Sequence, residues 1–406
     1  MLMTGTALAQ LIPLLMSPYL SRVYSPSAFG MFGLYFNAVS MLGVIMSLRY
    51  ELCIVLPEKD EDSMQLVYLC TGIAFANSLI ILIISYVSSF WLSNLSDYHL
   101  FKKYIWTIPV SALFVGIYQA FNYYLTKGKA FRASAINRVV QKSAEGVCNI
   151  GFGQLQWSGG LIWSDMAGRF LVLITAVFQS FRMKGRFFLP DFRKMKELSY
   201  RYRSFALNGT IPAFFNAVSL ALPVYYISWF FDTEVAGQFN LSRMVLAAPI
   251  SIITVNIGQV LMQRMSEIKN DEKAFRSLFM NVFRVLAVLG GILLLILVFF
   301  SVPIFGFVFG NVWKYAGKMT IILSISYVLR FIIGPFGVVF TVKEEVKTLA
   351  IWQIAYGTCI GLLYVFRDME VTSFLWIFTG VEVVFLLVFF LLVLRTVFRK
   401  VNTVEN

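Results

Sequence analysis

Polar side chains recur on one face of a helix predicted at 135–155. Four of them are spaced by 4, 3 and 4 positions: Arg138, Lys142, Glu145 and Asn149. This spacing places all four on the same side of an α-helix. The surrounding sequence is apolar, and a charge inside a membrane costs roughly 2.5–3.5 kcal/mol on insertion scales, so it normally faces protein or a watery cavity. The pattern predicts either a cavity lining or a Lys142–Glu145 pair that only holds helices together.

Further charges lie in other apolar stretches. Asp165 and Arg169 are four residues apart and can form an ion pair within one helix, whereas Arg284 and Arg330 have no acidic residue three or four positions away. An excess of buried cations suits an anionic substrate, because guanidinium groups match phosphate oxygens well. We also expect Glu145 or Asp165 to carry a coupling proton or sodium ion, with simple ion pairing as the alternative.

A polar stripe marks the helix predicted at 205–230. It consists of five residues spaced by 4, 4, 3 and 4: Asn208, Pro212, Asn216, Ser219 and Pro223. Prolines inside a membrane helix release backbone carbonyls, which is tolerated where a cavity or a neighbouring helix satisfies them. The stripe predicts a bending helix that acts as a gate, and it is equally typical of a static kink.

Several kinds of chemistry have no residues to support them. The sequence has one histidine and four dispersed cysteines, so we expect no metal, haem or iron–sulfur cofactor. It contains no P-loop, and no extended polar stretch could form a catalytic domain. The sequence therefore predicts no enzyme activity. The formal net charge of +13 is placed in short loops, which favours contact with anionic membrane lipids over binding of nucleic acid.

The composition indicates that these residues lie on membrane-spanning helices. Of the 406 residues, 59% are hydrophobic and 14% are charged, and the mean hydropathy is +0.75. An ordinary soluble domain carries about 25% charged residues. Windows of about 20 apolar residues predict an all-α polytopic membrane protein with about twelve spans: 2–20, 28–48, 64–91, 104–126, 135–155, 158–181, 205–230, 236–262, 277–301, 313–341, 346–366 and 371–394.

The loops indicate orientation and domain organisation. Most Lys and Arg residues lie in loops on one side, and the middle loop alone supplies eight of the 34. The positive-inside rule then places both termini in the cytoplasm. We expect a six-helix bundle at 1–181, a basic cytoplasmic linker at 182–204 and a second six-helix bundle at 205–406.

A short internal repeat supports a duplication of six spans. The segment that begins Phe29-Gly30 is echoed by the segment that begins Ala236-Gly237, at an offset of 207 residues. An even number of spans returns the chain to the same side, so the two halves would be related by an axis along the membrane normal.

Two local segments resemble a known family of exporters. Residues 20–34, LSRVYSPSAFGMFGL, and the stretch Arg49-Tyr50-Glu51 followed by Ile54-Val55-Leu56-Pro57 resemble the polysaccharide and O-antigen flippases of the multidrug/oligosaccharidyl-lipid/polysaccharide exporter superfamily. The spans and the basic middle loop extend the resemblance over the whole chain. The sequence starts at its first helix, whereas the family usually carries a basic leader there, which is consistent with a natural start further upstream.

The resemblance implies two helical bundles around a central cavity and transport by alternating access. The implied substrate is an undecaprenyl-pyrophosphate-linked oligosaccharide that is moved across the bacterial inner membrane, with other polysaccharide-assembly proteins as partners. The residues we expect to bind its anionic groups are Arg49, Lys142, Arg169, Arg284 and Arg330. A cation-coupled multidrug exporter, a membrane glycan polymerase and a non-transporting scaffold remain alternatives.

Overall fold

The computed structural model describes residues 2–91, 103–184 and 189–399, which form helices joined by turns. The first six helices are α1 (Leu2–Val23), α2 (Pro26–Gly43), α3 (Asp60–Trp91), α4 (Thr107–Lys127), α5 (Phe131–Gln154) and α6 (Gly160–Lys184). The others are α7 (Phe192–Phe230), α8 (Thr233–Glu267), α9 (Glu272–Val308), α10 (Lys314–Ile333), α11 (Val338–Val342), α12 (Val346–Leu362) and α13 (Val371–Phe398). No strand occurs within these described ranges.

Eight segments of the described chain are long and apolar enough to cross a membrane. They correspond to α3, α6, α7, α8, α9, the α10–α11 pair, α12 and α13. The spans predicted at α1, α2, α4 and α5 also form helices, each of 18 to 24 residues. The α5 helix is the most polar of these because it carries the Arg138–Asn149 face. The architecture confirms an all-α polytopic membrane protein.

The chain divides into two compact units, Met1–Asn240 and Leu241–Asn406. The first unit contains α1 to α7 and the start of α8, because α7 packs against α2 and α3. Within the segment 182–204, which we expected to be a linker, the described residues supply the end of α6 and the first turns of α7. The described helices of the second unit centre on α10, which packs against α9 and α13.

Ion pairs attach the polar start of α7 to the start of α3. The Asp191 side chain caps α7 by accepting hydrogen bonds from its first backbone N–H groups, and the Asp191 N–H donates to Gln65 Oε1 (2.9 Å). Lys194 Nζ lies 3.0 Å from Glu61 Oε1 and 3.2 Å from Asp62 Oδ1. These two hydrogen-bonded carboxylates raise the pKa of Lys194.

The α2 helix ends at Gly43, before the end of its apolar sequence. A series of turns follows it and leads into a 3₁₀ helix at Tyr50–Val55. Leu48 and Arg49 adopt left-handed backbone conformations, with φ of 49° and 62°. Left-handed backbone at bulky residues costs energy and is concentrated at functional sites. The interruption turns the chain so that Arg49 and the 3₁₀ helix face α4.

Asn77 of α3 supports this interruption. Its Nδ2 donates to the carbonyl oxygens of Ile45 (3.0 Å) and Met46 (3.1 Å). Unwound backbone at membrane depth persists only where protein or water satisfies its polar groups. The amide of Asn77 supplies such a partner from the neighbouring helix.

Two glycines allow α2 and the start of α8 to touch through their backbones. A Cβ added at Gly30 would collide with the Thr233 carbonyl oxygen, and one added at Gly237 would collide with the Pro26 carbonyl oxygen. Gly30 therefore faces Thr233, four residues before Gly237, and Gly237 faces Pro26, four residues before Gly30. At the offset of 207 residues the two contacts are equivalent, which is the pattern of an isologous contact about a two-fold axis. This reciprocity supports the predicted duplication.

Candidate functional site

A polar cavity of about 310 Å³ opens in the first unit beside the interrupted end of α2. Its lining residues are Arg49, Glu51, Tyr118, Gln119, Asn122, Tyr123, Arg138 and Gln141. The set combines two guanidinium groups, three carboxamides, two phenols and one carboxylate. We call this cavity the arginine pocket.

Three structural elements hold the arginine pocket in place. Arg49 and Glu51 come from the segment that follows the interruption of α2. The middle of α4 supplies a run from Tyr118 to Tyr123, and α5 supplies Arg138 with Gln141 one turn later. The Arg138 guanidinium faces the Tyr118 hydroxyl across the pocket wall. The pocket thus depends on the left-handed turn at Arg49, which directs the backbone toward α4.

Several buried polar atoms of the arginine pocket have no hydrogen-bond partner among the described residues. They are Arg49 Nε, Gln119 Oε1 and Asn122 Oδ1. Buried polar groups in native proteins nearly always have a partner in protein, water or ligand. One donor and two acceptors are therefore available to a polar ligand that enters the cavity.

A second polar group, the α5–α6 ion cluster, comprises Lys142, Glu145, Asp165 and Arg169. Lys142 Nζ lies 2.5 Å from Glu145 Oε2, and Arg169 Nε donates directly to Asp165 Oδ2. The Tyr35 hydroxyl of α2 also lies 3.0 Å from Asp165 Oδ2. Arg169 and both carboxylates are buried, and Lys142 is only partly exposed.

The two ion pairs are adjacent because α5 and α6 approach closely at Gly168. A Cβ at this position would lie 2.9 Å from the Gln141 carbonyl oxygen and 3.3 Å from Glu145 Cβ. With two cations and two carboxylates, the α5–α6 ion cluster is formally neutral. This balance differs from the cationic interior that the sequence suggested, because the acidic partners of both cations lie on the same helices.

A third polar group lies in the second unit and joins the four helices α8, α10, α12 and α13. Arg330 Nη2 of α10 lies 2.8 Å from Glu382 Oε1 of α13, and the Tyr356 hydroxyl of α12 donates to the same oxygen (3.0 Å). Arg330 also stacks over the ring of Tyr327, whose hydroxyl lies 3.3 Å from Arg243 Nε. Arg330 thus has an acidic partner that its own helix does not provide.

The other predicted residues are more dispersed. Arg284 is exposed on α9, on the same helix face as the exposed Val288 and Leu295, apart from the third polar group. Pro212, Asn216 and Pro223 lie within α7, which continues through both prolines as one helix. Asn208 falls on α7, but its side chain lies outside the described residues.

Sequence reasoning missed most of the arginine pocket. Arg49 was predicted as a site residue and Arg138 was placed on a polar helix face. Glu51 was named only within the family motif, and Gln119 and Asn122 were given no role. The run YQAFNYY, residues 118–124, contains the missing signal, since two amides three positions apart in an apolar helix face the same side. Nothing in the sequence pairs Glu382 with Arg330, because the two residues lie on different helices.

Comparisons with known proteins place this architecture in a family. Residues 19–317 match the model of a family described as polysaccharide biosynthesis protein. The teichuronic acid biosynthesis protein TuaB of Bacillus subtilis (strain 168) is 25% identical over 200 residues, which span 48% of this chain and 40% of that protein.

Solved structures share the fold at low sequence identity. An inward-facing multidrug resistance transporter of the MATE family, in the MOP superfamily, gives a TM-score of 0.70 at 11% identity and covers 96% of this chain and 98% of its own. The lipid II flippase MurJ gives 0.71 at 14% identity and covers 97% and 87%. The chain therefore shares the fold of these two transporters, and it belongs to the family of polysaccharide biosynthesis proteins.

Proposed function

We propose that this chain is a flippase that moves a lipid-linked, anionic oligosaccharide across the bacterial inner membrane by alternating access. The arginine pocket is the observation that carries this proposal, because a cavity with two guanidinium groups inside a membrane protein suits a phosphate group. The isoprenoid tail, an undecaprenyl chain in the expected substrate, would stay in the lipid while the polar head crosses.

The chemistry of the arginine pocket favours a sugar phosphate over a hydrophobic cation. Gln119, Asn122 and Gln141 offer both donors and acceptors, which suits the hydroxyl groups of a sugar. Tyr118 and Tyr123 add flat surfaces against which a sugar ring can pack. At about 310 Å³, the volume is at the lower end of the range of ligand pockets. It accommodates the phosphates and the first sugar, with the remaining units extending outward.

The names of the relatives agree with this assignment. One takes part in the biosynthesis of teichuronic acid, an acid by its name, and another is a flippase of lipid II. We propose that this chain likewise transports a lipid-linked precursor of a polysaccharide and has no enzyme activity of its own. We place both termini in the cytoplasm, with membrane lipids and other polysaccharide-assembly proteins as its surroundings.

The other polar groups would serve movement and coupling. The paired cations Lys142, Arg169 and Arg330, and the exposed Arg284, would bind substrate only as the transporter changes state. Glu145 or Asp165 would then bind a proton or sodium ion when its cation partner is withdrawn.

The polar stripe of α7 would serve as the gate. Pro212 and Pro223 remove backbone hydrogen bonds at two points, Asn216 adds a polar side chain between them, and Asn208 belongs to the same predicted stripe. The helix would bend at these points as the transporter opens and closes.

The test is complementation in a strain that lacks the gene. Lipid-linked oligosaccharides and surface glycan would be quantified by mass spectrometry after expression of wild type, Arg49→Gln, Arg138→Gln or Arg193→Gln. Arg193 is an exposed arginine on the first turn of α7 and serves as the matched control. We expect the two pocket variants to accumulate complete lipid-linked units and to lose surface glycan, while Arg193→Gln complements fully at equal membrane levels.

Two results would contradict the proposal. Full complementation by both pocket variants would remove the arginine pocket from the transport mechanism. Unchanged glycan in the deletion strain, with new sensitivity to cationic drugs, would instead identify a multidrug exporter.

A further inference from the structure

A buried carboxylate lies within the arginine pocket, where an anionic substrate would have to bind. Glu51 is 1% exposed, and its Oε2 accepts a hydrogen bond from the Ser47 hydroxyl (2.6 Å). Its Oε1 lies 3.6 Å from Arg49 Nη1. The separation is longer than a direct charge-assisted hydrogen bond, so Arg49 is held loosely and can turn to another anion.

Apart from Arg49 and Arg138, the described elements packed around Glu51 add no cation to the pocket lining. Cys53 of the same segment, Cys70 from α3 and Tyr123 from α4 lie near Glu51, and Arg138 from α5 lines the same pocket. The cation that α7 places on this side, Arg203, lies near Tyr50 and stacks on the ring of Tyr200. Arg203 does not line the arginine pocket.

The charges of the lining residues do not match the proposed substrate. Arg49 and Arg138 supply two positive charges and Glu51 removes one, so the lining is formally +1. A diphosphate joined to a lipid and a sugar is doubly negative at neutral pH. Two anions that share a buried site strongly disfavour each other's charged form. Neutralisation of Glu51 brings the pocket to two positive charges against two negative ones.

We propose that Glu51 takes up one proton from solvent when a doubly charged anion binds in the arginine pocket. This inference rests on the proposed function and adds a proton-binding residue at the same anion site. In the empty pocket Glu51 is the counter-ion of Arg49. When the anion enters, Arg49 turns to it and Glu51 becomes a neutral carboxylic acid.

Ser47 suits both states of Glu51. A serine hydroxyl can donate to a carboxylate and can accept from a protonated acid. The short Ser47–Glu51 contact can therefore persist through the exchange by reversal of its hydrogen bond. A lysine or arginine in place of Ser47 would favour only the charged form of Glu51, because these groups donate hydrogen bonds but cannot accept one.

The experiment measures anion affinity against pH with the full chain in nanodiscs. The probe is methanedisulfonate, which resembles diphosphate but stays doubly ionised from pH 5.5 to 8, so any proton taken up belongs to the protein. For wild type we expect the affinity to fall as pH rises, by up to about tenfold per unit if one proton binds per anion. Glu51→Gln should bind tightly with no pH dependence.

Three variants separate the possible outcomes. Glu58→Gln removes an exposed carboxylate of the same segment and should keep the wild-type pH profile. Ser47→Ala removes a hydrogen bond that is stronger to the charged carboxylate than to the neutral acid, so the pH at which affinity falls should shift upward even if Glu51→Gln fails to fold. Arg138→Gln should weaken binding at every pH.

The results distinguish this inference from the proposed function. A wild-type affinity that does not change with pH, but is lost in Arg138→Gln, would overturn proton uptake at Glu51 and leave the anion site intact. Proton uptake at Glu51 is overturned equally if Glu51→Gln retains the wild-type profile. The arginine pocket would be refuted as the anion site if wild type does not bind the probe at any pH. It would be refuted equally if Arg138→Gln binds the probe with wild-type affinity.

Discussion

The glycine crossing of α2 and α8 gives a sharp test of the packing in the first unit. In Gly237→Ala the new methyl group would collide with the Pro26 carbonyl oxygen and would lie 2.6 Å from its carbon and 3.0 Å from the Gly30 nitrogen. Comfortable contacts between carbon atoms are about 3.5–4.0 Å. All three neighbours are backbone atoms, so relief requires the two helices to separate by roughly 1 Å.

The expected cost is that of an overpacked contact, about 1–3 kcal/mol. An alanine in a helix gains about 1 kcal/mol over glycine, which would hide part of this cost. Gly72→Ala in α3 measures this gain in helix propensity alone, because a Cβ there meets no atom within 4 Å. The difference between the two substitutions therefore isolates the clash at about 1–3 kcal/mol.

The assay is thermal unfolding of the purified variants in one detergent. At about 2–4 °C per kcal/mol for a unit of this size, Gly237→Ala should unfold roughly 2–12 °C below Gly72→Ala. Gly30→Ala should behave alike, and the double variant should lose less than the sum, since one separation relieves both clashes. Equal unfolding temperatures for Gly237→Ala and Gly72→Ala would refute the backbone contact.

Three further predictions concern polar contacts. Arg169→Met should destabilise the fold by about 3–5 kcal/mol, because it strands the buried Asp165, and added Asp165→Leu should restore most of the loss in the same unfolding assay; no recovery would count against the ion pair. Asn77→Leu should cost about 1–3 kcal/mol, because it removes the side-chain donor to the Met46 carbonyl and one of two donors to the Ile45 carbonyl, and an unchanged unfolding temperature would contradict this role. Glu344, whose pKa is lowered by Lys269 at 2.8 Å, stabilises the fold above its unfolded pKa of about 4.3. The small advantage of wild type over Glu344→Gln should shrink as pH falls from 6 to 3, and a constant difference would exclude that contribution.

The sequence was informative wherever interacting residues are close along one helix. The pairs Lys142–Glu145 and Asp165–Arg169 are three and four residues apart, so helical spacing alone suggested them. Arg330 and Glu382 are 52 residues apart, and no local pattern relates them. A lone arginine in an apolar span indicates that a partner is needed, but not which helix provides it.

The arginine pocket could not be predicted from the sequence for a different reason. The apolar run at 28–48 predicts a continuous span, whereas α2 ends at Gly43 and the chain turns through left-handed residues. Asn77 makes this possible from another helix, so the interruption is a tertiary effect that overrides local preference. Once the turn is known, the positions of Arg49 and Glu51 follow from it.

The distance between Arg330 and Glu382 has a consequence for the synthesis of the protein. The pairs of α5 and α6 enter the membrane already matched, because each cation and its carboxylate emerge together on one helix. Glu382, the partner of Arg330, is synthesised 52 residues later, which takes roughly 3–10 s at about 5–20 residues per second. During that interval α10 carries an insertion penalty of roughly 2.5–3.5 kcal/mol with no acid to offset it. A nascent chain arrested before α13 is therefore a natural target for the insertion and quality-control machinery of the membrane.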